Sequence, residues 1–170
     1  MKMIRALRVL ADITAWQWGL VTTAQAARVG VTSLDMSRLA RDGHLERVGH
    51  GVYRAAAAPS DPREGLKAAW ISLNPGSTAE ERIRLRPYDA VVAGAAASWL
   101  LGIGDLVPEP YEFVTPARRQ TQRTELVIRT KPLPGNCVAF REGLPVMSPE
   151  QTIADLVEND MGSSLVTDVL

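Results

Sequence analysis

Two capped helical segments about a tight glycine turn, a β-hairpin signal directly after them, and a change of net charge near residue 58 set the fold class. They predict an N-terminal winged helix-turn-helix (α+β) followed by a small α/β or α+β domain. Residues 1–58 carry eight basic and four acidic residues, whereas residues 59–170 carry eleven basic and fifteen acidic, so the formal net charge of +0 conceals two opposite halves. Such asymmetry marks a nucleic-acid-binding end joined to a domain of another kind.

The first helix is predicted over Ile4–Ala15, with an apolar stripe at Ile4, Leu7, Leu10, Ala11 and Thr14 and with Arg5, Arg8 and Asp12 off it. Gly19-Leu20-Val21 is too short for more than a bridging strand. Thr22 and Gln25 form a capping box that opens a brief helix, stopped at Gly30. Thr32 caps a third helix, with Asp35 at its positive end. Val31, Met36, Leu39 and Ala40 are predicted to face inward, and Ser33, Ser37, Arg38 and Arg41 outward, before Asp42-Gly43 ends it. Leu45–Val48 and Val52–Ala55 flank the three-residue loop Gly49-His50-Gly51. This reads as a hairpin in which Val48 faces Val52 and Glu46 faces Arg54.

Ala55–Pro59 reads as a linker, which places the domains at 1–58 and 59–170. Asp61-Pro62-Arg63-Glu64 has the N-cap, N1 and N3 residues of a new helix carrying Leu66, Ala69, Trp70 and Leu73. Arg82–Arg86 alternates as a short strand does. Ala95–Leu101 reads as a buried small-residue helix stopped by Gly102, and Tyr111–Thr115, Glu125–Thr130 and Val138–Phe140 as strands. Ser148-Pro149-Glu150-Gln151 is a further capping box, and Ser163 or Ser164 is predicted to cap one more helix. Val169-Leu170 leaves an apolar pattern unfinished, as the cut end of a longer chain does.

With 46% hydrophobic and 22% charged residues, the composition is that of a globular protein. The single Cys137 excludes a disulfide framework, and two histidines do not build a metal centre alone, so no metal or other cofactor is expected. The longest apolar run, Ala90 to Gly104, falls short of the ~20 residues that span a bilayer, and Arg5 and Arg8 interrupt the N-terminus where a signal peptide is apolar. A cytoplasmic protein without membrane contact is expected. Gly-rich phosphate loops ending in Lys-Ser/Thr, Gly-x-Ser-x-Gly and His-Glu-x-x-His are all lacking, so no catalytic residue is assigned. Asp155 and Glu158, three apart on one helix, read as a solvated face rather than a carboxylate pair. Arg118–Arg123 is a basic loop that reads as a turn between strands, with a second nucleic-acid contact or a dock for an acidic partner as its alternatives.

A helix-turn-helix sets the early residues of its second helix against base edges in the major groove. Arg38 has the fork that pairs with guanine, Ser33 and Ser37 donate or accept, and Leu34 suits a thymine methyl, with Thr32 at the start of the same helix. Arg41, one turn on, suits a phosphate, as do Thr22 and Thr23 with the N–H groups of the helix they open. The hairpin offers Arg47, His50 and Arg54. The plainer alternative is a solvated basic face, with Arg54 merely pairing with Glu46.

The stretch Val31–Tyr53, with Arg38-Leu39, Asp42-Gly43-His44-Leu45 and Arg47-Val48-Gly49-His50-Gly51-Val52-Tyr53, resembles the winged-helix domain of AbiEi-type antitoxins of type IV, abortive-infection toxin–antitoxin systems, mycobacterial members above all. Leu101-Gly102-Ile103-Gly104-Asp105, Tyr111-Glu112-Phe113, Gly143-Leu144-Pro145-Val146 and Thr152-Ile153-Ala154-Asp155-Leu156 extend the likeness over most of the chain. The resemblance implies a transcriptional repressor that binds operator DNA, autoregulates its operon and counteracts a cognate nucleotidyltransferase toxin, by direct binding or functionally. Its winged domain would serve the operator and residues 59–170 antitoxicity. Phosphorylation of the toxin is the enzymatic alternative, and the sequence shows no kinase signature. A metabolite-responsive regulator unrelated to a toxin, and an adaptor without a nucleic-acid role, are the readings from other classes. Because one winged helix reads only a few base pairs, a homodimer on DNA is expected.

Overall fold

The computed structural model describes residues 2–167, with side chains through residue 160. The chain divides into two compact units, Met1–Arg84 and Leu85–Leu170.

In the first unit, α1 (Met3–Thr14) buries Ala6, Leu10 and Thr14. Of the expected stripe Leu10 and Thr14 are buried and Leu7 packs on the core, but Ile4 is 75% exposed and Ala11 exposed, and Ala6 takes the buried place instead. β1 (Leu20–Thr22) is a three-residue strand that leads directly into α2 (Thr23–Arg28). The expected capping box at Thr22 forms, Gln25 N–H donating to its hydroxyl, and the expected N-cap Thr32 makes one as well, accepting from Asp35 N–H. Each satisfies orphan donors at a helix start and fixes where the helix begins. α3 (Ser33–Arg41) buries Met36 and Leu39. β2 (Leu45–Gly49) and β3 (Val52–Ala55) form the hairpin, and the sheet runs β1-β3-β2, antiparallel throughout. Glu46 faces Arg54 as expected, but Gly49, not Val48, pairs with Val52. A bulge at Val48 absorbs one residue, which shortens the loop to His50-Gly51.

The first unit does not end at the expected linker. α4 (Glu64–Ser72) packs on β2 and β3 and buries Leu66, Trp70 and Ile71. It starts later than the sequence suggests, because Asp61 and Pro62 form a turn in which the Asp61 carboxylate accepts from Arg63 N–H at 2.6 Å. α5 (Ala79–Ile83) stands where the alternating Arg82–Arg86 suggested a strand; the capping box of Thr78 and Glu81 opens it. Arg82 is buried, its guanidinium 3.7 Å from the centre of the Trp70 ring. Trp70 meets Trp18 edge-on at 6.3 Å.

Residues 75–81 are bonded into this unit through a pair of buried amides. The Gln17 Nε2 donates to Gln25 Oε1 at 2.7 Å and to Leu20 O at 3.0 Å, while its Oε1 accepts from Ala79 N–H at 2.8 Å. Gln25 Nε2 donates to Ser77 O at 2.8 Å. Arg28 forks onto Glu81, both contacts 3.0 Å, and with the Thr78 N–H brings that carboxyl down to about 2.

The second unit is a five-stranded mixed sheet, β6-β5-β4-β8-β7, built from β4 (Val91–Ala93), β5 (Tyr111–Thr115), β6 (Leu126–Thr130), β7 (Val138–Arg141) and β8 (Leu144–Met147). β5 pairs with β6 and β4 with β8 in parallel, and the other neighbours are antiparallel. α6 (Gly94–Leu101) packs on β4, β5 and α7 (Pro149–Thr167). The central β4 is buried along its whole length. Gly94 has φ +58, and a Cβ there would lie 1.9 Å from Glu112 Oε2, so only glycine fits this strand-to-helix junction. α7 continues past Ser163 and Ser164 without the expected new cap, and Val169-Leu170 lie outside the described residues. Among the described residues, no helix is long and apolar enough to cross a membrane.

Candidate nucleic-acid interface

The capping box at Thr32 fixes the start of α3, and the buried pair Met36 and Leu39 fixes its rotation. At 100° per residue, Ser33, Leu34, Ser37, Arg38 and Arg41 then share one arc about 140° wide. All five are exposed, Leu34 at 57%. The hydroxyl and N–H of Thr32 hold the Asp35 carboxyl below the usual carboxylate range, so the acid is engaged at the cap beside this face. Ser37 donates back to Ser33 O at 3.0 Å. Arg41 lies 3.3 Å from Asp42, largely in solvent. Arg38 lines a groove of about 200 Å³ with Met3, Ala6, Asp35 and Leu39, so it stands between α3 and the start of α1.

The hairpin contributes Arg47 and His50, both exposed; Arg47 Nε donates to Gly49 O at 3.4 Å. His50 occupies the two-residue tip.

Three residues expected at the interface, Thr22, Thr23 and Arg54, find partners within the chain instead. Thr22 is fully buried, and its hydroxyl donates to Pro75 O while accepting from Gln25, which leaves it nothing for a phosphate. Its neighbour Thr23 is half-buried, and the Thr23 N–H is spent on Gly51 O at 3.0 Å. Arg54 is only 9% exposed: Nη2 reaches Glu46 at 2.6 Å, Nη1 reaches Ala58 O at 2.7 Å, and Nε stands 2.8 Å from Glu64 but poorly aligned to donate. A guanidinium so enclosed binds its own chain. Glu64 lies on α4, and nothing in the hairpin sequence announces that partner.

In the second unit, the expected solvated pair Asp155 and Glu158 is split: Glu158 is exposed, but Asp155 is buried between Arg129 and Lys131. Arg129 also reaches Glu112, the residue packed against Gly94. This four-residue charge network was hidden in the sequence, because its members come from two strands, the residue after β6, and a helix.

The family model described as "Transcriptional regulator, AbiEi antitoxin" matches residues 8–56, and the one for the AbiEi antitoxin C-terminal domain matches residues 90–163. The chain is also similar to the crystal structure of the RV2827C protein from Mycobacterium tuberculosis, with a TM-score of 0.51 and 19% identity. That likeness covers 86% of this chain and 58% of the other, and at this identity it is one of fold. No protein of curated function matches the chain. Matched in each of its two units by a domain of one family, the chain belongs to the AbiEi antitoxins.

Proposed function

We propose that the unit through Arg84 is a winged helix-turn-helix that lays α3 in the major groove of operator DNA, so that the antitoxin represses its own operon. The observation that carries this reading is the exposed arc of α3, with Arg38 at its edge beside α1. The order α1–β1–α2–α3–β2–β3 and the sheet β1-β3-β2 support it. Arg38 reads a guanine, and Thr32, Ser33 and Ser37 contact base edges or the adjoining backbone. Arg41 and Arg47 meet phosphates, and His50 enters the minor groove at the hairpin tip. With Thr22 and Arg54 engaged internally, the interface is smaller than the charge count suggests. Tight, specific binding therefore takes two copies on an inverted repeat, spaced by whole turns of about 34–36 Å.

The unit from Leu85 counteracts the cognate toxin, a nucleotidyltransferase by the likeness of the sequence to type IV antitoxins, and this work takes place in the cytoplasm. The test of the DNA reading is the salt dependence of binding to the promoter of its own operon. Each neutralised phosphate contributes about −0.9 to the slope of log K against log salt, so a few contacts from each of two copies give a steep line. A slope near zero, or a footprint on one unrepeated half-site bound one-to-one at full affinity, overturns the reading.

A further inference from the structure

The outer edge of β6 is built to take another strand. β6 ends the sheet order, and its register with β5 runs unbroken from Tyr111↔Leu126 to Thr115↔Thr130, without a bulge or a proline to blunt it. Tyr111 N–H donates to Glu125 O at 2.8 Å and Lys131 N–H to Thr115 O at 3.1 Å. Residues 125, 127, 129 and 131 therefore turn their backbone groups toward β5, and alternation turns those of Ile128 and Thr130 away from the sheet. A groove of about 630 Å³ is lined by Val127, Ile128 and the loop from Arg119 to Gln122. Val127 is 39% exposed, an apolar side chain on an open edge. The loop is basic: Arg123 pairs with Glu125 at 2.7 Å, whereas Arg118 and Arg119 are exposed and have no acidic partner among the described residues.

We propose that this edge receives an extended acidic segment of a partner protein, added to β6 as a sixth strand. The backbone of Ile128 and Thr130 supplies the ladder, and Arg118 and Arg119 pair with the segment's carboxylates. A nucleic-acid strand suits the arginines but not the edge. Its phosphodiester groups only accept, which leaves the C=O groups of Ile128 and Thr130 without donors, whereas a peptide alternates donors and acceptors as the edge does. The proposal is independent of the DNA reading of α3, since it concerns the other unit.

The test uses the full chain and a labelled peptide of about eight residues alternating Glu and Val, the kind of extended segment that adds to a sheet edge. Controls are the same peptide with Lys for Glu, one with prolines at its two central positions, and an oligothymidylate. The Glu–Val peptide should bind and slow amide exchange at Ile128 and Thr130, with β5 amides unchanged. Arg118→Glu with Arg119→Glu should weaken it about tenfold, as should Ile128→Pro, which removes an outward N–H. The β5 amides of each variant report whether it remains folded, and the arginine pair stands alone if the proline variant does not. Unchanged exchange at Ile128 and Thr130 under saturating peptide overturns the proposal. So does equal binding by the lysine peptide, the proline peptide or the oligothymidylate.

Discussion

Arg129 closes a two-pronged ion pair on Asp155, with Nη1 3.1 Å from Oδ1 and Nη2 on Oδ2, and so ties β6 to α7. Asp155 is 1% exposed as a residue, whereas the Arg129 side chain keeps 29% of its surface and a second acid, Glu112. The two partners are therefore not equivalent. Removing Arg129 leaves a buried carboxylate with only Lys131, at 3.3 Å, and Arg129→Met should cost about 3–5 kcal/mol. Asp155→Asn keeps an acceptor oxygen and leaves Arg129 on Glu112, so its cost should be nearer 1–3 kcal/mol, roughly that of a weakened charged hydrogen bond. Urea unfolding of the two variants checks the order; equal losses would mean that the two partners are equivalent after all.

The same pair predicts how stability changes in acid. Burial alone would raise the Asp155 carboxyl, but the Arg129 guanidinium and the Lys131 ammonium outweigh it and hold the group below the usual carboxylate range. A carboxyl depressed in the folded state contributes stability that is fully present above its unfolded value, about 3.9, and is lost as pH falls through the folded value. The gap in unfolding midpoint between wild type and Asp155→Asn should thus be constant near neutrality and shrink below about pH 4. Midpoints measured from pH 7 to pH 3 give the answer. A gap that stays constant to pH 3 would remove the charge from the explanation.

Three arginines of the first unit should behave in three different ways. Arg38→Ala should cost roughly 1–3 kcal/mol against the preferred operator and relax the preference at one base pair. Arg41→Ala should weaken all DNA sequences alike, as loss of a phosphate contact does. Arg54→Ala should instead lower stability, since it strands Glu46 and Glu64 and frees Ala58 O. Competition between operator and random duplex, paired with thermal melts, distinguishes the three. Arg38→Ala with an unchanged ratio of the two affinities refutes its role at a base.

The starts of α2 and α3 and the Glu46–Arg54 register were legible because their signals are local: a capping box spans four residues, and a hairpin is set by its own loop. β4 was not, since Val91–Ala93 is buried along its length, shows no alternation and runs without a break into α6. β8 was masked by Pro145, which sits within the strand. The alternation of Arg82–Arg86 pointed to a strand because Arg82 reads as a surface residue, whereas it is buried on Trp70. Thr22 and Asp155 show the same limit from the side of function. Their chemistry is readable from residue type, but whether it is spent internally depends on partners at Pro75 and Arg129, far along the chain, whereas the pairing of Arg54 with Glu46 was already the plainer alternative in the hairpin sequence.

The expected boundary after residue 58 and the observed one after Arg84 make different predictions for a fragment. A fragment of residues 1–58 loses the donors and acceptors that residues 75–81 supply. Thr22 loses Pro75 O, Gln25 loses Ser77 O, the Gln17 amide oxygen loses Ala79 N–H, and Arg28 loses Glu81. It also loses α4 and with it Trp70, which covers Trp18 and is fully buried. The Gln17–Gln25 pair keeps its mutual hydrogen bonds, but each lost bond is worth about 0.5–1.5 kcal/mol and a domain's total stability only about 5–15 kcal/mol, so losing these bonds together with the apolar cover of α4 is enough to unfold the fragment. Residues 1–84 should therefore give dispersed amide spectra and a cooperative melt, and should bind DNA, whereas residues 1–58 should do none of these. Within the longer fragment, Gln25→Ala should lower the melting temperature more than Arg28→Ala, because the amide pair is buried and the Arg28–Glu81 fork is about half exposed. A cooperative melt from residues 1–58 alone would show that α4 and α5 are appended to the N-terminal fold rather than part of it.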